Sequence, residues 1–271
     1  MLTRTQLVLV LPILATRLAA QNPPRPAFDS FEVATIKPAS PEDQKAARRY
    51  IRMQSAHAFQ AKNYTVDGLI AAAYDLNPKM ISGGPAWAEN DRFELIAATP
   101  GDLRPTYDDQ MRMLRKLLSD RLGLTFHREK KEFSIYELTL APGGPKFQPT
   151  TAMPDEPNNV TSTVYPGENG TVEHIHLPAR NVTMQQVASV LQRAILDRPV
   201  VDKTALTGRF DFDLDWAPDE SQFGGTLPPG PSDTGRPGLF TALQQIGLHI
   251  QATRGDVDTL VIDHLDRPSD N

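Results

Sequence analysis

Two stretches that each begin with asparagine carry apolar residues at helical spacing. "NYTVDGLIAAAY" starts at Asn63 and "NVTMQQVASVLQ" starts at Asn181, and each places a threonine ahead of apolar positions three and four apart. A threonine in this position can cap a helix, because its side chain accepts a hydrogen bond from a backbone N–H of the first turn. The pattern predicts an amphipathic helix in each stretch.

Two further stretches are predicted to be strands. "RFELIAATP" covers 92–100 and "RFDFDLDWAP" covers 209–218, and both end at a proline. The strands are 117 positions apart (209 − 92) and the helices 118 (181 − 63). Because two kinds of element keep nearly the same separation, the sequence indicates an internal repeat.

Each half continues with a second helix and then a predicted hairpin. The helices, in "YDDQMRMLRKLLSDRLG" and "GLFTALQQIG", run into Gly123 and Gly247, which are expected helix stops. "LTFHREKKEFSIYELTLA" and "LHIQATRGDVDTLVIDHL" then align without a gap, and each is interpreted as a strand, a charged turn and a strand. The run "HREKKE" (127–132) is accordingly predicted to be a solvated hairpin tip, with a partner-binding patch as the alternative.

The repeated unit is helix, strand, helix, strand, strand, preceded by a strand such as "FEVATIKP" (31–38) or "GTVEHIHLP" (170–178). We therefore predict an α+β fold of two related repeats, each with a sheet packed on two helices. The predicted divisions are a first unit at 28–148, a linker at 149–168, and a second unit at 169–268 that contains a Pro/Gly-rich loop at 217–238.

The first 20 residues have the layout of a signal peptide. A basic Arg4 precedes a short apolar run, and small residues precede a predicted cleavage between Ala20 and Gln21. A retained anchor is the alternative, but the apolar run is shorter than the ~20 residues that a spanning helix needs. The mature chain, with no later membrane-spanning stretch, is expected to be periplasmic or extracellular.

Composition narrows the function classes. The chain has no cysteine, which excludes disulfides and a lipid-modified cysteine anchor. Its formal net charge of −5 argues against nucleic-acid binding, which usually needs a basic face. Neither G-x-S-x-G nor S-x-x-K occurs, so no serine hydrolase signature is present. We predict no cofactor and no catalytic residues.

Asp202-Lys203-Thr204 resembles the phosphorylated aspartate signature of cation-pumping ATPases. That signature continues Gly-Thr, whereas Ala205 and Leu206 follow here. Phosphoryl transfer also needs a phosphate cradle, and no Walker-type glycine loop is present. The stretch is therefore interpreted as a turn between a helix and a strand.

Three aspartates two residues apart, Asp211, Asp213 and Asp215, resemble the first ligands of a calcium loop. Such a loop needs a glycine at its sixth position and a glutamate at its twelfth, and Trp216 and Gln222 stand there. The apolar residues between the aspartates favour a strand with one apolar and one acidic face.

His174 and His176 are weak candidates for metal ligands. The stretch "EHIHLP" places both on one face of a predicted strand, a spacing that some zinc sites use. A zinc site needs three or four ligands, and the sequence identifies no third. No metal site is therefore assigned.

Stretches spread over most of residues 31–268 resemble a family of exported, soil-associated bacterial proteins of uncharacterised function. They are "FEVATIKP", "LIAAAYDL", "ISGGPAW", "LLSDRLGLTFHRE", "YELTLAPGGPKF", "RPVVDKTALTGRFDFDLDW", "ALQQIGLHI" and "VDTLVIDHLDRP". This resemblance implies no activity. The second half is also similar to the short N-terminal domain of secretins and TonB-dependent receptors, which implies a small protein-docking module with a closing hairpin.

The expected function is protein binding without catalysis, in which an exposed strand edge adds a strand of an envelope partner. One alternative is an exported hydrolase or small-ligand binder with a site between the units, using His174, His176 and nearby aspartates. A second alternative is the sensory ectodomain of a larger system.

Overall fold

The fold is known from a computed structural model that describes residues 28–45, 49–101, 103–153, 156, 158–225, 227 and 235–269. The predicted signal peptide, with Ala20 and Gln21, lies outside these residues. The strands are β1 (Val33–Pro38), β2 (Tyr50–Met53), β3 (Ala58–Tyr64), β4 (Ile81–Gly83), β5 (Phe93–Ala98), β6 (Thr125–Leu140), β7 (Gln148–Pro149), β8 (Asn159–Val160), β9 (Thr163–Pro166), β10 (Val172–Val182), β11 (Val200–Asp202), β12 (Phe210–Trp216) and β13 (Leu248–His264).

Six α-helices accompany these strands within the described residues. They are α1 (Pro41–Lys45), α2 (Val66–Ala73), α3 (Ala86–Asn90), α4 (Tyr107–Leu122), α5 (Met184–Val190) and α6 (Leu239–Gln245). A π-helical segment, Leu191–Ile195, extends α5. Short 3-10 helices lie at Pro78–Met80, Glu168–Gly170 and Phe223–Gly225.

The strands form three sheets, which confirms the α+β class. The first sheet has the order β1-β5-β3-β2, and another has the order β7-β12-β10-β8 with β9 also paired to β10. The remaining sheet, β11-β6-β13-β4, is called the central sheet below.

The predicted helices α2 and α5 begin where the sequence indicates. The Thr65 hydroxyl accepts from the backbone N–H of Gly68 at 3.1 Å, and the Thr183 hydroxyl accepts from that of Gln186 at 3.2 Å. These bonds satisfy donors that a helix leaves unpaired at its N-terminus. The longer helix α4 ends at Gly123, whose φ of 57° is readily adopted by glycine.

An asparagine before each capping threonine ends the preceding strand with a bulge. Asn63 and Asn181 are both buried and have positive φ angles of 59° and 55°, a conformation that asparagine tolerates. The guanidinium of Arg92 donates to the Asn63 carbonyl at 3.0 Å, and that of Arg209 donates to the Asn181 carbonyl at 2.8 Å. The repeated Asn-x-Thr and Arg-Phe signals therefore belong to one local structure that occurs twice.

The predicted hairpins are wrong. β6 and β13 are single long strands that pair with each other in antiparallel fashion, from Leu140 opposite Leu248 to Thr125 opposite His264. The run at 127–132 has no glycine, proline or asparagine to reverse the chain, and it lies within β6 rather than at a tip.

A glycine of β13, Gly255, lies within the stretch that was predicted as the second hairpin. Gly255 lies inside the β6–β13 ladder, opposite Phe133. A Cβ atom added to Gly255 would lie 2.8 Å from Cδ1 of Ile135. The glycine is thus explained by close packing against a neighbouring strand, and no chain reversal requires it.

The two short strands β4 and β11 form the outer edges of the central sheet, and each comes from a part of the chain distant from the strand it pairs with. β4 pairs in parallel with β13, with Ile81 opposite Leu260, and β11 pairs in parallel with β6, with Val200 opposite Tyr136. β4 belongs to the N-terminal part of the chain, which ends with β6, and β13 belongs to the C-terminal part, which begins with β7. Each part therefore contributes a short strand that pairs with the long strand of the other part, an arrangement called strand exchange below.

Two hydrophobic cores lie at the two ends of this central sheet. The first contains α2, α4 and β5 together with Leu260 and Ile262 of β13. The second contains α5, α6, β10 and β12 together with Leu138 of β6. Each core is therefore completed by a strand from the other part of the chain.

Four strands of the two outer sheets, β2, β3, β8 and β9, were not predicted. β2 and β3 lie between the predicted β1 and α2, and β3 leads directly into α2. The stretch 149–168, interpreted as a linker, contains β8 and β9, both of which pair with β10. These strands are two to seven residues long, so they give little periodic signal.

Candidate docking edge

Among the described residues, no strand pairs with the outer side of the N-terminal half of β6. The backbone N–H of Tyr136 donates to Pro199, and the carbonyl of Leu138 accepts from Lys203, both at 2.8 Å, so these residues direct their backbone groups away from β13. Backbone groups alternate in direction along an antiparallel strand. The groups of Arg128, Lys130 and Glu132 therefore also point away from β13.

No strand receives these outward groups within the part of the chain that the structure describes. β11 pairs with β6 only at 136–138, and the other neighbour of β6 is β13. All six residues at 127–132 are exposed. We call the β6 segment 126–132, with its outward backbone groups, the docking edge.

Ion pairs hold most of the charged side chains of the docking edge. His127 lies 2.8 Å from Asp263 and 3.2 Å from Glu129, and Lys131 lies 3.0 Å from Glu129. The hydrogen bond to Asp263, followed by the one to Glu129, raises the pKa of His127. Hydrogen bonds from Lys131 and then from His127 lower the pKa of Glu129. These charges therefore fix the side chains on one face of the edge.

On the opposite face of the docking edge, two of the three charged side chains form no ion pair within the described residues, although Asp258 of β13 lies opposite Lys130 in the ladder. Arg128 lies over the ring of Phe126 at 6.0 Å. Within the described residues, neither Arg128 nor Lys130 has a carboxylate within ion-pair distance. Glu132 pairs with Arg254 of β13 at 2.9 Å, and this hydrogen bond lowers the pKa of Glu132. Arg128 and Lys130 are thus available to an added strand.

The sequence predicted 127–132 as a solvated hairpin tip, with a partner-binding patch as the alternative, and did not predict a strand edge. A run of six charged or histidine residues without a turn-forming residue, flanked by Phe126 and Phe133, was the available signal. The partner-binding alternative therefore still concerns residues 127–132, but these residues form a strand edge and not a hairpin tip.

His176 and the neighbouring aspartates are brought together on the polar face of β10 and β12. Its Nδ1 lies 3.1 Å from Asp215 and its Nε2 lies 3.5 Å from Asp213. Arg180 already pairs with Asp213 through bonds of 2.6 and 2.8 Å. These carboxylates are therefore engaged in an ion-pair network on the sheet surface.

His174 lies beside this network. Its ring stacks on Tyr165, with the ring centroids 4.4 Å apart and the planes inclined by 5°. The described residues contain no group of three or more histidine, cysteine, aspartate or glutamate side chains placed to hold a metal ion. The candidacy of His174 and His176 as metal ligands stays a prediction.

The remaining motifs have local structural roles. Oδ1 of Asp202 accepts from the backbone N–H and the hydroxyl of Thr204 at 2.9 and 2.8 Å, which is the hydrogen bonding of an aspartate turn. Trp216 is fully buried, and its indole N–H donates to Gln222 at 2.8 Å. The residues that occupy the calcium-loop positions thus bond to each other.

Comparison with known proteins gives a family. The profile of the family described as "Protein of unknown function (DUF3738)" matches residues 67–265. This range covers well over half of the 271-residue chain. The chain belongs to the DUF3738 family. No curated protein and no solved structure matches the chain.

The DUF3738 match contains the whole docking edge. It begins within α2 and ends one residue after β13, so it includes both long strands of the central sheet. β1, β2 and β3 precede it. Among the helices that the structure describes, none has the length and apolar character needed to cross a membrane.

Proposed function

We propose that this DUF3738 protein is an exported docking protein that binds a partner by adding the partner's β-strand to the docking edge. The observation that carries the proposal is the exposed run at 127–132, whose outward backbone groups pair with no strand in the part of the chain that the structure describes. An extended segment placed there gains main-chain hydrogen bonds, and its alternate side chains meet those of β6.

Charge on the docking edge restricts which strands it accepts. Exposed lysine and arginine on a strand edge discourage pairing with arbitrary apolar strands. A segment with acidic residues opposite Arg128 and Lys130 gains cross-strand attraction instead, since directly opposed charges on paired strands interact. The edge therefore favours a charged, alternating segment.

We also propose how the docking edge arose. In this proposal the chain consists of two copies of one unit, and the long last strand of each copy, β6 or β13, pairs with the other copy. Gly123 and Gly247 differ by 124 positions (247 − 123), and Glu132 and Asp256 also differ by 124 (256 − 132). Glu132 lies opposite Asp256, so the β6–β13 register is centred on residues that correspond in the two copies.

Matching sheet orders support the same arrangement. β5 lies between β1 and β3 as β12 lies between β7 and β10. In the central sheet, each three-residue strand covers only one end of a long strand and leaves the other end open. Strand exchange thus accounts for the docking edge on β6.

Export and the docking role rest on sequence features. The predicted signal peptide at 1–20 supports export, and the resemblance of the second half to a secretin docking domain supports protein binding. The closing hairpin that this resemblance implies is replaced by the paired long strands. The network around His176 adds no second candidate function, because its carboxylates are already paired.

Photocrosslinking in the native host tests the proposal. A photoreactive amino acid in place of Lys131 should give a specific adduct in the intact envelope, whereas the same group in place of Lys116, which is exposed on α4, should not. Lys130→Pro should abolish the adduct because it removes the outward N–H, and Lys130→Ala should retain most of it. An adduct that survives Lys130→Pro would contradict strand addition.

A further inference from the structure

We infer that the strand accepted by the docking edge is the same segment of a second copy of this chain. This inference rests on the proposed function and identifies its partner. Two β6 strands would pair in antiparallel fashion about a two-fold axis, so that the two central sheets become one continuous sheet. A symmetric dimer of this kind buries both docking edges at once.

Backbone geometry limits the possible registers. The outward residues of one β6 must lie opposite outward residues of the other, because only their N–H and C=O groups face the neighbouring strand. Arg128, Lys130 and Glu132 can therefore oppose only one another or the outward residues beyond them. Successive registers differ by a shift of two residues.

One register is favoured by charge. With Lys130 opposite Lys130 of the second copy, Arg128 lies opposite Glu132, and Glu129 lies opposite Lys131. By symmetry each of these opposite-charge pairs occurs twice, against one pair of like charges. Opposed charges on paired strands attract measurably, and like charges repel by a similar amount.

The two neighbouring registers are less favourable. In one neighbouring register Glu129 lies opposite Glu129 of the second copy, and Arg128 lies opposite Lys130 on each side of the two-fold axis. These three pairs are all of like charge. A shift in the other direction places Lys131 opposite Lys131 and keeps only two attractive pairs, between Lys130 and Glu132. The order of charges in "REKKE" (128–132) thus selects one antiparallel pairing with itself.

The exposure and the charges of the docking edge agree with this partner. Residues 127–132 are all exposed, and their charged side chains lie in one continuous stretch of β6. Within the described part of the chain, neither Arg128 nor Lys130 forms an ion pair, although Asp258 of β13 lies opposite Lys130. Glu132 of the second copy, which pairs with Arg254 of its own chain, would lie opposite Arg128. The single Lys130–Lys130 contact weakens the pairing and makes the dimer reversible.

Sedimentation of the mature chain, starting at Gln21, tests the inference. The wild type should show a reversible monomer–dimer equilibrium. Glu129→Lys or Lys131→Glu alone should weaken the dimer roughly tenfold or more, because each turns two attractive pairs into repulsive ones. The double variant should restore dimerisation, since it reverses both members of each pair and keeps the 129–131 pair within the strand.

Two further variants sharpen the result. Lys130→Gln should strengthen the dimer by removing the like-charge contact, and Lys130→Pro should abolish it. A dimer that is insensitive to all four changes would overturn the inference. Circular dichroism of each variant, recorded at a dilution where the wild type is also monomeric, should match that of the wild type, because the altered side chains are exposed and dimerisation does not contribute to stability there.

The sedimentation result also separates this inference from the proposed function. One outcome is a wild type that is monomeric at all concentrations while the photoreactive residue at position 131 gives an adduct with another protein that Lys130→Pro abolishes. This result would overturn the inference that the partner is a second copy and would support the proposed docking function. A monomer with no adduct would overturn both. A photo-adduct between two copies, together with a dimer in sedimentation that the double variant restores, would support both.

Discussion

Because of strand exchange, a substitution in one long strand should destabilise the core that is distant in sequence more than the core that is near in sequence. Leu260 of β13 and Leu138 of β6 are both fully buried, but each lies in the core built mainly from the other part of the chain. Leu260→Ala should therefore loosen α2 and α4, which are more than 130 positions away. Leu138→Ala should loosen α5 and α6.

The size of the effect follows from burial. Replacing a buried leucine by alanine costs about 2–5 kcal/mol, so local opening of the affected core should become at least about thirtyfold more frequent. Native-state amide hydrogen exchange with peptide resolution measures this, because protection reports opening of each cooperative segment. The two variants are matched controls for each other, since both remove the same atoms from the same sheet.

The outcome is specific. Leu260→Ala should accelerate exchange in α2 and α4 (66–73 and 107–122) more than in α5 and α6, and Leu138→Ala should do the reverse. If Leu260→Ala instead affected mainly α5 and α6, the long strands would fold back as hairpins and strand exchange would be refuted. Equal loss of protection in both cores would refute the assignment of each leucine to one core.

Three further predictions concern single sites. Burial raises the pKa of Asp67 to about 6 from 3.8, so the folded state binds its proton more tightly and loses stability as pH rises from about 4 to 7. The full pKa shift corresponds to about 3 kcal/mol, and solvent screening of this half-buried group reduces that value. In urea unfolding, Asp67→Asn should therefore stabilise the protein by about 1–2 kcal/mol at pH 7.5 and by little at pH 3.5. Equal effects at the two pH values would contradict the raised pKa. Gln192→Ala should cost about 1–3 kcal/mol in the same assay, because the buried N–H of Val200, which donates to the Gln192 side chain at 3.1 Å, loses its acceptor; an unchanged midpoint would show that another group replaces it. Gly255→Val should lower the midpoint of thermal unfolding by crowding Ile135, and adding Ile135→Val should recover part of the loss; a fully additive pair would argue against this contact.

Local signals predicted most of the helices and inner strands. The capping threonines Thr65 and Thr183 and the stop at Gly123 act within one or two turns, so a short window of sequence contains the whole cause. The alternation of β12 likewise has a local reading, because its apolar residues are buried and its aspartates are not.

Strand exchange was not predictable in the same way. A long strand and a hairpin differ only in which distant segment pairs with each half, and no local pattern in β6 specifies β13 as its partner. The close approach of Gly255 to Ile135 likewise depends on the pairing itself, so the sequence around Gly255 does not reveal it. The docking edge was missed as an edge for the same reason, although its residues at 127–132 were singled out.

The aspartates and histidines of β10 and β12 show a different limit. Their spacing correctly placed His174 and His176 on one polar face, and Asp213 and Asp215 lie beside them. The partners that occupy those carboxylates could not be read from spacing, because Arg180 reaches Asp213 from the neighbouring strand of the sheet.

Residue-resolved amide exchange at the docking edge tests the central claim most directly. In the dilute chain the outward amides of Arg128, Lys130 and Glu132 should exchange rapidly, while the inward amides of Glu129 and Lys131 are protected by β13. In the assembled state the outward amides should become protected as well. Protection of the outward amides in the dilute chain, or no gain of protection on assembly, would contradict strand addition at this edge.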